Sequence, residues 1–264
     1  MSPVSLASGI PHFVPPSPAD FRLPPVFGDS VFFTKPYFLL LLAALLVVWF
    51  FYSTSRNASV VPSKLQFAGE SAYNFVRNSI ARDVIGSHEF MKFVPYLVAL
   101  FWFIAVNNYF ALVPFVQYPT LSQTGFVYGL ALLTWLVYNG VGIGRHGFLG
   151  YFKHQSVPPG IKGPVLLLIA PLEFMSNILV RPFTLALRLF ANMFAGHLLL
   201  LLFALGGEYL ILESGNAGYI PVGVLSLLMG LAVSALEVLI LGLQAYVFTL
   251  LTAMYISGAL AEEH

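Results

Sequence analysis

Seven polar side chains, Glu173, Arg181, Arg188, Asn192, His197, Glu237 and Gln244, stand in two C-terminal stretches where almost every other residue is apolar or small. A guanidinium at bilayer depth costs at least ~2.5–3.5 kcal/mol on insertion scales. Arg188, in the middle of RPFTLALRLFANMFAGHLLLLL (181–202), therefore reads as a residue kept for a task. Arginine does not give up its proton, so it attracts anions and cannot relay protons. His197 and Glu237 have the complementary chemistry of a buried His/carboxylate couple, an element of proton relays whose titration is shared. Asn192 and Gln244 can be interhelical hydrogen-bond partners or site residues, and the same holds for Asn107 and Asn108 in an earlier apolar run.

These residues need helices to place them. On a helix Arg181, Thr184, Arg188, Asn192 and Ala195 recur at three, four and seven and share one stripe. His197, nine residues beyond Arg188, projects to about the opposite face, and Glu237 and Gln244, seven apart, share a face of a partner helix. Ala186, Ala191, Ala195 and Gly196 are small enough to let another helix approach closely.

The composition supplies such helices and little else. Of 264 residues 58% are hydrophobic and 9% charged, with a mean hydropathy of +0.85. A soluble domain is about one quarter charged, so this composition marks a polytopic membrane protein. The spans fall at about 36–52, 93–113 and 125–144, followed by apolar segments over 164–205 and 219–260. Each of the last two is roughly 40 residues, or ~60 Å as helix, twice a ~30 Å hydrocarbon core. Each is therefore two short spans or one strongly tilted helix. No polar turn interrupts them, and Pro171 and Pro182 read as kinks, which favours an antiparallel hairpin of two long helices. The fold class is thus all-α, with about five membrane helices in a single membrane domain over 36–264.

Residues 1–35 read as a Pro-rich extracytoplasmic segment, extended where Pro11, Pro15, Pro16, Pro24 and Pro25 set the backbone. Over 63–82 the spacing of Leu65, Ala68, Ala72, Phe75, Val76 and Ile80 predicts an amphipathic helix, with Ser63 and Gln66 as a capping box. It either lies on the membrane surface or packs on another subunit. Residues 145–163 read as a polar loop. Five basic residues over 56–92 and three over 145–163, against none near Gln117 and Glu208, put both basic loops and the C-terminus in the cytoplasm and the N-terminus outside. Arg181 and Glu173 then lie nearer the cytoplasmic end and read as snorkelling or pairing groups.

Other chemistry finds no footing. GIGRHG at 142–147 follows a membrane span and not a strand, so it is no dinucleotide fingerprint. His12, His88, His146 and His154 are too scattered for a metal site, no cofactor is implied, and no clustered basic face suggests nucleic acid. Zero cysteines exclude disulfides and thiolate chemistry, and no nucleophile constellation suggests an enzyme. A proton-coupled secondary transporter of an anionic substrate is the main rival class, against which there is no inverted repeat.

RPFTLALRLFANMFAGHLLLL and LEVLILGLQAYVFTLLTAMY resemble subunit a of F-type ATP synthase, in its bacterial form, over most of the chain from Pro36 onward. The resemblance implies a non-catalytic proton-conducting stator in a bacterial plasma membrane, feeding protons through two offset half-channels to a carboxylate on a rotor ring. It implies as partners the ring of c subunits, peripheral-stalk b subunits and the soluble ATPase head. Arg188 matches the essential ring-facing arginine, and Asn192 and Gln244 its neighbouring amides. His197 and Glu237 match a His/Glu pair of the outer half-channel, Asn108 an asparagine of the same path, and Glu173 joins the proton pathway. Ala111 stands where some relatives carry an aspartate.

Overall fold

A computed structural model of the chain describes residues 13, 15–17, 34–56, 59–113, 116, 118–156 and 165–261. Most of the Pro-rich N-terminal segment and residues 262–264 lie outside the described residues, as do Asn57, Pro114, Gln117 and Lys162. Among the described residues every α, π or 3-10 element is helical. Five helical runs are long and apolar enough to cross a membrane, and the last two have 46 and 44 residues.

α1 (Lys35–Ser55) starts at the Pro36 that suits a first helical turn. It buries only Pro36, Leu39 and Ala43 and leaves Leu41, Leu45, Val48 and Trp49 exposed, so it is a peripheral helix with a lipid-facing surface. α2 (Lys64–Val76) passes through a π turn, Arg77–Arg82, into α3 (Asp83–Ile85), and Gly86 at φ 92° ends the run. α4 (Phe90–Tyr109) and α5 (Thr124–His146) are the second and third membrane-length helices. α5 closes on Gly147 at φ 71°, whose N–H donates to the Ile143 carbonyl, and Arg145 and His146 complement the negative end of its dipole.

α6 (Phe148–Ser156) occupies part of the stretch read from sequence as a polar loop. Tyr151 explains the difference: it is fully buried, donates to Asn139 Oδ1 at 3.0 Å and accepts from Gln155 Nε2 at 2.8 Å, folding the helix back against α5. Burial pushes the Tyr151 hydroxyl above the ordinary tyrosine range, with the Gln155 bond acting the other way. The group stays a donor at any physiological pH.

α7 (Leu166–Met175), a π segment at Ser176–Val180, α8 (Arg181–Glu208) and a second π segment at Tyr209–Glu213 form the first long run; α9 (Ile220–Leu260) is the second. The first run ends at 213 and not 205. GGEYLILE holds no proline, so the chain stays helical through it and turns only at Gly215, φ 64°. At ~1.5 Å per residue the 46-residue run is ~69 Å long, so it lies in a bilayer only aslant and with its ends beyond the hydrocarbon.

Inside a membrane, helices associate through shape and hydrogen bonds more than through solvent exclusion. The main core therefore sits where α4, α5, α8 and α9 meet, with Val94, Leu97, Ile104, Val127, Leu189, Met193 and Ile256 fully buried. Leu39, Ala43, Phe110 and Tyr118 form a smaller cluster that fastens α1.

The α2 face differs from the expected one. Its packed side carries Gln66, Gly69 and Val76 and continues through Ile80, whereas Leu65, Ala68 and Phe75 of the predicted stripe remain exposed. Val76 and Ile80 of the predicted stripe are thus packed within the chain, and Phe75, though exposed on one side, keeps ring contacts with Phe101 and Tyr246. Ser63 accepts from the Gln66 backbone N–H at 3.2 Å as predicted. The Gln66 side chain completes no capping box and turns instead to Ser59 and Glu70.

Candidate functional site

α8 and α9 pack as an antiparallel hairpin, and small residues fix their register. At the far end Gly207 and Gly223 touch: a Cβ on Gly223 would stand 3.0 Å from the Gly207 carbonyl oxygen and 2.6 Å from Ile211 Cγ1. Next along, Ser226 donates to the Phe203 carbonyl at 2.9 Å and Gly230 abuts Phe203. Farther down Gly196 faces Glu237, whose Oε1 lies 3.0 Å from where a Cβ on that glycine would be. At the other end the Arg181 guanidinium lies over the Tyr255 ring, 5.3 Å from its centroid.

This register sorts the polar residues by face. Leu185, Ala186, Leu189 and Met193 turn into the core, while Thr184, Arg188, Ala191 and Ala195 are exposed on the outer side of α8, with Asn192 beside them partly covered. Of the stripe expected from spacing, Thr184, Arg188 and Ala195 face outward and Asn192 is half-covered, whereas Arg181 is partly buried against Tyr255. The four small residues expected to admit a neighbouring helix lie on different sides: Ala186 is in the core, Ala191 and Ala195 face outward, and Gly196 meets Glu237. Arg188, 20 residues from one end of the long run and 25 from the other, makes no hydrogen bond or ion pair among the described residues.

The inward side of the hairpin holds Glu237, 4% exposed, with both carboxylate oxygens buried and without a hydrogen-bond partner among the described residues. His197, next to Gly196, is partly buried and makes no hydrogen bond to Glu237. The two are thus brought to one level of the hairpin but not into the directly bonded couple expected from sequence. Asn108 is fully buried and donates from Nδ2 to the Leu241 carbonyl at 2.9 Å, one turn along α9 from Glu237, while its Oδ1 has no partner. Asn107 donates to its own helix, at the Phe103 carbonyl. Gln244, 7% exposed, makes no side-chain hydrogen bond among the described residues. Ala111 is buried at the end of α4.

Glu173 lies apart from this group, beside the π segment, where its Oε1 accepts a 3.4 Å bond from Asn177 Nδ2. Asn177 also donates to the Gln155 carbonyl and accepts from the Tyr138 hydroxyl, and Trp135 donates to the Ile178 carbonyl. The π segment loosens the i→i−4 ladder at the point where α5 supplies two donors and α6 an acceptor. Sequence reasoning missed this cluster and the seat that Gly196 gives Glu237. The only signal for either was a polar or small residue inside an apolar run.

A bundle of membrane-length helices, with an unpaired cation on its outer face and a buried carboxylate inside the same hairpin, defines a polytopic membrane protein that handles charge within the bilayer. A family model described as ATP synthase A chain matches residues 37–257. Proteins named ATP synthase subunit a are similar over nearly their whole length. The one from Nocardioides sp. is 59% identical over 263 residues, covering 96% of this chain and 95% of that protein. Those from Arthrobacter sp. and Paenarthrobacter aurescens are 48% and 46% identical, each covering 96% of this chain and 96% and 95% of their own lengths. The chain belongs to the ATP synthase A chain family.

Proposed function

We propose that this chain is the proton-conducting stator subunit of an F-type ATP synthase in a bacterial cell membrane, itself non-catalytic, working against a rotor ring of c subunits. The observation that carries the reading is Arg188: an ionised group at mid-length of a long membrane helix, on the outer face, with no hydrogen-bond or ion-pair partner among the described residues. The family match supports the same assignment.

A proton falling through 100 mV gains ~2.3 kcal/mol, and work can be drawn from it only if no continuous proton wire crosses the membrane. Two offset half-channels therefore end at a carrier, a carboxylate on the ring that is neutral while it faces lipid. Arg188 draws that carboxylate in as an anion and, holding its own proton, insulates one half-channel from the other. Glu237, His197 and Asn108 line the outer half-channel, Asn192 and Gln244 flank the arginine, and Glu173 serves the inner path. Residues 1–35 form the outer segment and 36–264 the single membrane domain. The basic loops and the C-terminus lie in the cytoplasm, where peripheral-stalk b subunits and the ATPase head join the complex.

ATP synthesis by membrane vesicles tests the reading. Arg188→Ala abolishes coupled synthesis, and Arg188→Lys fails as well, because an ammonium in that setting can lose its proton. Wild-type synthesis rates with Arg188→Ala contradict the role.

A further inference from the structure

A cavity of about 610 Å³ lies between α1, α4 and α5, away from the hairpin site. Ala44, Ala99, Gly125 and Gly129 leave the space open, and a Cβ on Gly125 or Gly129 meets nothing within 4 Å. The Tyr96 hydroxyl in its wall is already hydrogen-bonded to Thr134 at 3.1 Å, so the wall asks nothing polar of an occupant. Val48 and Leu133 on its rim are 67% and 50% exposed, so it opens sideways on the surface that faces lipid.

One end of the cavity carries a charge. Tyr37 packs edge-on against Phe126 of the wall, ring centroids 4.8 Å apart, which fixes the start of α1 at the start of α5. There Lys35 donates to the Val116 carbonyl at 2.8 Å and lies over the Tyr118 ring. No described carboxylate pairs with it, and the sequence from 109 to 124 holds no other charged residue. A lone cation at the end of a membrane helix, on the side where basic residues are otherwise scarce, is complementary to a phosphate at headgroup level.

We propose that this cavity is a phospholipid site, taking one acyl chain between α1, α4 and α5 with the anionic headgroup on Lys35. The volume, the apolar lining and the cation at one end suit a lipid. An apolar cavity of ~150 Å³ takes a benzene, so one roughly four times larger suits a long acyl chain.

The test uses the protein purified with its native partners in mild detergent, stripped of loosely held lipid and offered phosphatidylglycerol or phosphatidylcholine, with retained lipid counted by native mass spectrometry. Gly129→Leu fills the floor without a clash, so it loses one retained phosphatidylglycerol relative to wild type. Lys35→Gln keeps a lipid, but its preference for phosphatidylglycerol over phosphatidylcholine falls roughly fivefold. Equal lipid counts in wild type and Gly129→Leu overturn the proposal, and so does an unchanged preference in Lys35→Gln. A photo-crosslinker placed through Gly129→Cys labels lipid; labelling of a polypeptide at that position means that a partner helix fills the groove and also overturns it.

Discussion

Glu237 and Arg188 show how two ionisable groups in one hairpin are kept for different chemistry. Glu237 has no hydrogen-bond partner among the described residues, is almost fully buried, and sits against a glycine, so packing against Gly196 sets where its carboxyl group stands. Any side chain at Gly196 enters the space of the carboxylate, whose Oε1 would lie 3.0 Å from the first added carbon. Overpacking of this kind costs about 1–3 kcal/mol, or displaces the group that can move, which here is the glutamate itself. Gly196→Val is therefore predicted to cut proton flow through vesicles about as severely as Glu237→Leu while Gly258→Val, with open space around it, leaves flow near wild type. Normal flow in Gly196→Val counts against Glu237 as a conducting group. The ionisable residues were legible in sequence because a charge inside an apolar run is costly wherever it faces. Gly196 was legible only as a small residue, since its meeting with Glu237 depends on a partner helix some forty positions away.

At the scale of elements, the hairpin depends on close approach where its two long runs cross. Gly207 and Gly223 bring the backbones into contact, and two helical glycines are tolerated there, at ~1 kcal/mol each in propensity, because no larger residue fits. Gly223→Val has to push Ile211 and the Gly207 carbonyl aside, so it lowers the thermal midpoint of the purified complex by several degrees. Gly215→Asn, at a turn position with φ 64° that asparagine also adopts, lowers it little. An unshifted midpoint for Gly223→Val means that the crossing is not tight. The number and order of the membrane helices, and the hairpin, were readable from run length and the absence of polar turns. Two features were not. α6 is held by the tertiary hydrogen bond of Tyr151 to Asn139, which nothing in its own short sequence announces, and the π segments break the 3.6-residue period on which helix reading depends. Val76 and Ile80 of the predicted α2 stripe are buried, but the start of its packed side was not legible because Gln66 and Gly69, neither of them apolar, carry the contact with α1, whose Thr54 leaves no room for a side chain at Gly69.

For the whole molecule, the consequence is a division of surfaces. The core lies among α4, α5, α8 and α9, α1 is peripheral, and the outward side of α8 offers Thr184, Arg188, Ala191 and Ala195 to whatever stands beside it. Lipid is a poor neighbour for a guanidinium, and small residues on both sides of it allow a partner helix to come close. The chain contains no cysteine, so a single introduced thiol reports on one position alone. The most direct measurement places a short photo-crosslinker at Ala191→Cys, one turn from Arg188, and at Leu189→Cys, which is buried, in the assembled complex in membranes. The account predicts a crosslinked product between Ala191→Cys and the c subunit, and none from Leu189→Cys. If Ala191→Cys labels only lipid, the arginine does not face a rotor, and the central claim is contradicted.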